Sequence, residues 1–270
     1  MISWWCVARQ EPWTWQWVAY PGVWLASILP AVLYFRAVAR SEEITTRRQK
    51  LQFLGGIAVF WIASDWPLGA LGAGYLASAH MAQFLLYTLG AAPLLLLGTP
   101  RWMAERILDR LRLRGVVGWL SKSLLVTAIV YNVGLAVTHS PGVVSSLRTS
   151  QMGSFVMDVI WLILGFILWM PVLAPVLEMR HPNAFARIGY LFITTSVVAV
   201  VPASFLTFTQ LPLYSIYELA PRIGSLTANA DQQLAGIVMK LGSIPVIWST
   251  IAVVWFRWVR TEREQEAIAG

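Results

Sequence analysis

Seven long apolar stretches constrain this chain more than any other feature. They lie near Val18–Val38, Gln52–Leu68, Tyr75–Gly98, Val116–Val137, Gly153–Leu177, Ile188–Gln210 and Gln233–Trp258. Crossing roughly 30 Å of hydrocarbon takes about 20 mostly apolar residues in a helix. Lipid offers backbone amides no partner, and the period-two alternation of a membrane barrel is missing, so the stretches are expected to be helices. The predicted fold is therefore an all-α membrane protein, a seven-transmembrane helix bundle. The chain is 57% hydrophobic and 12% charged, with a mean hydropathy of +0.63, which leaves no length for a separate soluble domain. Residues 1–17 form a Trp-rich outer segment in this scheme, 18–258 the membrane domain and 259–270 a cytoplasmic tail.

Orientation follows from the basic residues. Fifteen of the twenty Lys and Arg fall on one side: Arg36, Arg40, Arg47, Arg48 and Lys50; five arginines between Arg101 and Arg114; Arg180 and Arg187; and Arg257, Arg260 and Arg263. Arg9, Arg148 and Arg222 fall on the other side, and Lys122 and Lys240 within helices. The positive-inside bias predicts an outer N-terminus and a cytoplasmic C-terminus. The net charge of +7 sits in short juxtamembrane loops, where anionic membrane lipid explains it and nucleic acid is not required.

Cys6 is the single cysteine, so an intramolecular disulfide, a CxxC pair and a thiolate cluster are excluded. Met1–Trp17 lacks the basic-then-apolar order of a cleavable signal, and its five tryptophans are expected to form an interfacial belt. LGALGAG, THSPG and the stretch from Gln210 to Ala230 read as outer loops, the last as the partner-facing surface. Residues Arg101–Arg114 read either as a helix lying on the inner leaflet or as a solvated connector.

Polar side chains gather toward the outer helix ends. His80 lies about one turn into the third stretch, and His139 ends the fourth, with Asn132 two turns below it. Ser154, Met157, Asp158 and Trp161 share one face of the fifth. Asp231, Gln232 and Gln233 open the seventh, and Gly236, Met239 and Ser243 run down one side of it. Imidazole and thioether suit copper, Cu(I) especially, and carboxylates complete such sites. His80, His139, Met152, Met157 and Met239 are thus candidate ligands, with Asp158 or Asp231 as auxiliaries; packing is the competing reading for each methionine, and a hydrogen-bonded place in the bundle is the competing reading for His80. Asp158 and Lys240 lie at similar depth, roughly 8–12 Å from the outer helix ends at 1.5 Å per residue, and are expected to pair. Phosphate loops, HExxH and a supported catalytic triad are absent, and no enzyme activity is expected.

Several strings resemble the seven-helix cytochrome c oxidase assembly factors of the CtaG type, found with caa3-type oxidases in bacteria. DWPLGALGAGYLASAHMAQFLL (from Asp65) followed by APLLLLGTP (from Ala92) is similar to a family signature, as are THSPG (from Thr138), LGFILWMPVLAP (from Leu164), LYSIYELAPR (from Leu213) and ADQQLAGIVM (from Ala230). The likeness runs from about Phe60 to Pro245. It implies a role in maturing haem–copper oxidase at the bacterial cytoplasmic (inner) membrane, by handling copper on the outer face, with oxidase or other respiratory-complex subunits as partners. Departures accompany it. Phe84 stands where the family has a second histidine one turn after the first, Ser154 and Asp158 stand where it has a histidine pair, and Lys240 replaces a tryptophan. Two readings follow: an assembly factor binding copper through a reduced set, or a metal-free scaffold or accessory subunit.

Overall fold

The computed structural model describes residues 3–269, with the side chains of residues 3–267; Met1, Ile2 and Gly270, which belong to the two terminal segments assigned above, lie outside it. Three quarters of the structure is helical, with no strand among the described residues. Helix α1 is Pro21–Ala39 and α2 is Arg47–Ser64. A short α3 (Leu68–Gly74) leads into α4 (Ala77–Leu85), a π-helical segment Leu86–Ala91 and α5 (Ala92–Gly98), together one span. Then come α6 (Arg101–Arg110), α7 (Arg114–Lys122), α8 (Leu124–Thr138), α9 (Pro141–Arg148) and the 23-residue α10 (Gln151–Leu173). Helices α11 (Ala184–Leu191) and α12 (Val200–Phe208) form a span interrupted by a second π-helical segment, Phe192–Val197. After α13 (Ser215–Glu218), helices α14 (Ala228–Gly242) and α15 (Ile244–Ala269) form the last span.

Five helices are long and apolar enough to cross a bilayer, and two bent pairs bring the total to seven if each pair counts as one span. The bends are informative. Helices α2 and α3 meet at 47°, so LGALGAG, expected as an outer loop, is a buried helical turn against α4. Helices α7 and α8 meet at 99°, because Ser123 leaves the helical region at φ −92°, ψ 70°. Helix α7 therefore lies across the bundle end, and Arg101–Arg110 before it is helical.

Local sequence explains the helix starts. Thr46 and Gln49 form a reciprocal capping box on α2, while Ser150 and Thr227 accept from Gly153 and Ala230 to cap α10 and α14. Pro21 and Pro141 occupy first-turn positions, where a missing N–H costs nothing.

The central span is Ala77–Gly98, and an 18-residue stretch of it is 67% buried. Its π-helical turn follows from Pro93. In the wide turn the Ala92 N–H reaches the Tyr87 carbonyl, so the next carbonyl, that of Thr88, would need an N–H from Pro93, which has none. The Trp169 indole of α10 supplies the donor, at 2.8 Å from the Thr88 oxygen. Gly165 makes this approach possible: a Cβ there would fall 2.7 Å from the Ala92 Cβ and 2.9 Å from the Thr88 Cα. Replacing Gly165 with Val should destabilise the fold by about 1–3 kcal/mol through overpacking. Trp169→Phe should cost about 1–3 kcal/mol by orphaning a buried carbonyl. Thermal unfolding of the detergent-solubilised protein checks both; unchanged midpoints would refute this account of the contact.

Candidate functional site

The site lies at the bundle end that carries few basic residues. Helix α4 begins there from an extended Leu76, which cannot cap it. Asp231, on the first turn of α14, performs that task from across the bundle. Its carboxylate accepts from the Ala77 N–H at 2.6 Å, the Ser78 N–H at 3.2 Å and the Ser78 hydroxyl at 2.5 Å. Gln232 beside it binds the 211–213 backbone through both ends of its amide. The acidic opening of α14 thus serves as a clamp, and Asp231 spends its charge on the helix that carries His80.

His80 is fully buried one turn into α4. Its Nδ1 lies 2.8 Å from the Tyr217 hydroxyl, and that hydroxyl lies 2.7 Å from the Gly72 carbonyl. A carbonyl only accepts, so the phenol proton goes to Gly72 and the His80 Nδ1–H donates to the phenol oxygen. Burial pushes the Tyr217 phenol well above its usual range, so it stays neutral. His139, at the end of α8, has its Nδ1 2.9 Å from the Leu135 carbonyl, so its Nδ1 also carries the proton. Both imidazoles are left with an unprotonated Nε2, buried and without a partner. Their ring centroids are 5.7 Å apart.

Aromatic rings surround the pair. Trp161 of α10 lies 4.8 Å from His80 and stacks on His139 at 5.5 Å. Phe84, one turn after His80, meets the edge of His139 at 4.7 Å and Trp161 at 5.6 Å. A histidine at position 84 would therefore sit against His139.

The electrostatic centre was not expected. Arg148, the last residue of α9, is fully buried and lies 5.1 Å from the centre of the Trp161 ring. Its Nη2 is 3.0 Å from Asp158 Oδ1, and Asp158 Oδ2 accepts from the Trp5 indole at 2.8 Å. Burial is the largest influence and opposes the Arg148 charge, but Asp158 leads the neighbouring groups that together hold the guanidinium above its ordinary value. The expected Asp158–Lys240 pair is corrected by this geometry: Lys240 points away from the core and is exposed. Depth along the helices matched, but helical rotation puts the two residues on different faces.

The Trp-rich segment also departs from expectation. Trp5 and Cys6 are only 0% and 1% exposed, and the chain is tied inward through Trp4 N–H to Gln151 and Ala8 N–H to Arg148. Trp15 and Trp17 keep the exposed character of an interfacial belt. In the 210–230 stretch, Tyr214, Ile216 and Tyr217 turn into the bundle, with the Tyr214 hydroxyl donating to the His139 carbonyl.

Other candidates fall out as follows. Ser154, Met157, Asp158 and Trp161 share one buried face of α10, as their spacing predicts. Met239 is buried on α14, with Gly236 pressed against the Ala203 carbonyl of α12, whereas Met152 is 60% exposed and stands outside the core. No group of three or more His, Cys, Asp or Glu converges among the described residues. The two imidazoles are the metal-type donors brought together here. Two such ligands suit low-coordinate Cu(I) better than zinc, which takes three or four protein ligands. The orphaned buried atoms extend beyond the imidazoles to Arg148 Nε and Nη1, Ser154 Oγ and Trp161 Nε1. Buried polar atoms are rarely left unpaired, so their concentration here sets this end of the bundle apart.

Removing one partner of the ion pair should cost about 3–5 kcal/mol, as in Arg148→Met or Asp158→Leu alone, with most of the loss recovered in the double variant. Lys240→Met should leave the unfolding midpoint unchanged. A double variant no more stable than the worse single would show that the two residues are not coupled.

A family model described as the cytochrome c oxidase caa3 assembly factor (Caa3_CtaG) matches residues 32–261. No curated protein and no solved structure matches the chain significantly.

Proposed function

The chain belongs to the cytochrome c oxidase caa3 assembly factor family, and from that premise we propose that it is a non-catalytic assembly factor that carries Cu(I) for a haem–copper oxidase. The observation that carries the reading is the pair of buried imidazoles whose Nδ1 atoms are committed to Tyr217 and Leu135, so that both Nε2 lone pairs are free. Membership implies interaction with haem–copper oxidase components in general, and the apolar helices make this a multi-pass membrane protein. Residence in the bacterial cytoplasmic membrane, with the site on its outer face, belongs to the proposal.

Copper is cargo in this reading. His80 and His139 would hold it through Nε2, and the second-sphere hydrogen bonds fix each tautomer so that no proton has to leave when the ion arrives. Trp161 and Phe84 keep water away from the imidazoles, which favours the soft, weakly hydrated Cu(I) state. The Arg148–Asp158 pair is neutral overall, so it orders α9 against α10 without adding a net charge beside the cargo. A ligand set this small gives up the ion readily to a site with more donors.

A second reading has its own observation. Phe84 fills the position from which a third imidazole would complete the site, and an arginine is buried beside the two that remain. Both favour a metal-free scaffold or accessory subunit of a respiratory complex. Anaerobic Cu(I) titration against a competing chelator separates the two. The copper reading expects about one ion per chain, lost in His80→Ala and His139→Ala, and tightened about tenfold or more in Phe84→His as a third imidazole joins. No copper above background in the unmutated protein would sink it. Co-purification with oxidase subunits at fixed stoichiometry in that case would support the scaffold.

A further inference from the structure

Two adjoining cavities occupy the opposite, basic end of the bundle, far from the imidazoles in sequence and fold. The first, of about 560 Å³, is almost wholly apolar and lies beneath α6 and α7, between α1, α2, α5 and α10. Phe53, Leu95, Ile107, Leu120, Phe166 and Met179 are among its walls. It exists because the 99° bend swings α7 across the bundle end instead of letting it pack lengthwise. The second, of about 390 Å³, is lined by Lys122, Arg180, His181 and Arg187, with Glu178 as its carboxylate. The two share a wall. Ser121 faces the first and Lys122 the second; Met179 faces the first and Arg180 the second.

The charges of the basic recess are not balanced from within. The Glu178 carboxylate is taken by Arg101, 2.9 Å away. Arg187 Nε is buried and has no partner. Arg180 donates its Nε–H to the Ala174 carbonyl at 2.8 Å. Burial, with the nearby Arg187 and Arg257 charges, pushes its guanidinium below the ordinary value. Three cations crowd one recess, and an anion in it would relieve them. An apolar chamber of acyl-chain size lies next to it, with the 121–122 and 179–180 backbone as the shared wall.

We propose that this end of the bundle is a binding site for an acidic glycerophospholipid, with its phosphate in the Lys122–Arg180–Arg187 recess and an acyl chain in the chamber beneath α6 and α7. Charge complementarity selects the headgroup, and the contiguity of recess and chamber selects a molecule with both parts. A transmembrane helix of a partner lacks the anion, and at about 10 Å across it is a poor match for the chamber. Bound there, the lipid would brace α7 against the 177–183 connection, adding to the packing of Val117 on the Val176–Met179 cluster.

Native mass spectrometry of the full chain in mild detergent, with added phosphatidylglycerol or phosphatidylcholine, tests this. Phosphatidylglycerol should be retained preferentially. The double variant Lys122→Gln/Arg187→Gln should reduce that preference about thirtyfold, the size expected from two cations at the membrane surface. Arg180 is left intact because it also holds Ala174. Ile163, which lines the chamber and is 49% exposed, can be enlarged without disturbing the core. Ile163→Trp should therefore reduce retention of phosphatidylglycerol while circular dichroism stays unchanged, and inorganic phosphate at millimolar concentration should not displace the lipid. Equal retention of both lipids, indifference to the charge variant, displacement by phosphate alone, or a polypeptide retained in place of lipid would each overturn the proposal.

Discussion

A single buried ion pair, Arg148 with Asp158, organises the end of the molecule where the imidazoles lie. Taking two charges out of water costs several kcal/mol per ion after relaxation, and their attraction offsets this only when the surroundings are tightly built. The surroundings are supplied from remote parts of the chain. Trp5 donates to the second Asp158 oxygen, the Trp161 ring faces the guanidinium, and the backbone at Arg148 accepts from Ala8. The N-terminal segment is thus pinned over the bundle, and α9 is pinned beneath it. The same pair fixes the face of α10 that presents Trp161 to both histidines.

A second constraint acts through helix ends. Helix α4 starts without a local cap, and Asp231 of α14 supplies one from 154 residues away in sequence. Proline 93 forces the wide turn lower in the same span, and Trp169 of α10 meets the carbonyl it leaves unpaired. The central span is therefore held at its start by α14 and in its middle by α10. His80 sits between those two points on a rigid stretch, and Tyr217 sets its tautomer. Defects in one helix are repaired by side chains of others, and this repair brings the site together.

Much of this was legible in the primary structure. The all-helical membrane-spanning class, the polar face of α10 and the approach of His80 to His139 follow from apolar length and from 3.6-residue periodicity. Other features were not. Arg148 carries no local mark, since SSLRTS looks like any polar turn; its position on the side with few basic residues was the one available hint. Tyr217 lies in the LYSIYELAPR string, which the family resemblance flagged without giving the tyrosine a role. Asp158 was paired with Lys240 because rise per residue gives depth, whereas rotation about the helix and the fold of intervening loops decide who faces whom. The Trp-rich N-terminus was read by composition as an interface belt, and composition cannot tell a tryptophan in lipid from one donating to a buried carboxylate.

The sequence by itself determined the solvent, the helical class, the family and the identity of the two imidazoles, because each rests on local composition, spacing or motif. Tertiary structure decided which charges neutralise one another, which helices bend, and which ring nitrogens remain free. Several of the contacts behind them join residues 137 to 154 positions apart in the chain. No periodicity encodes such contacts; only the packed bundle, where each buried polar group must find a partner or go without, brings them into being.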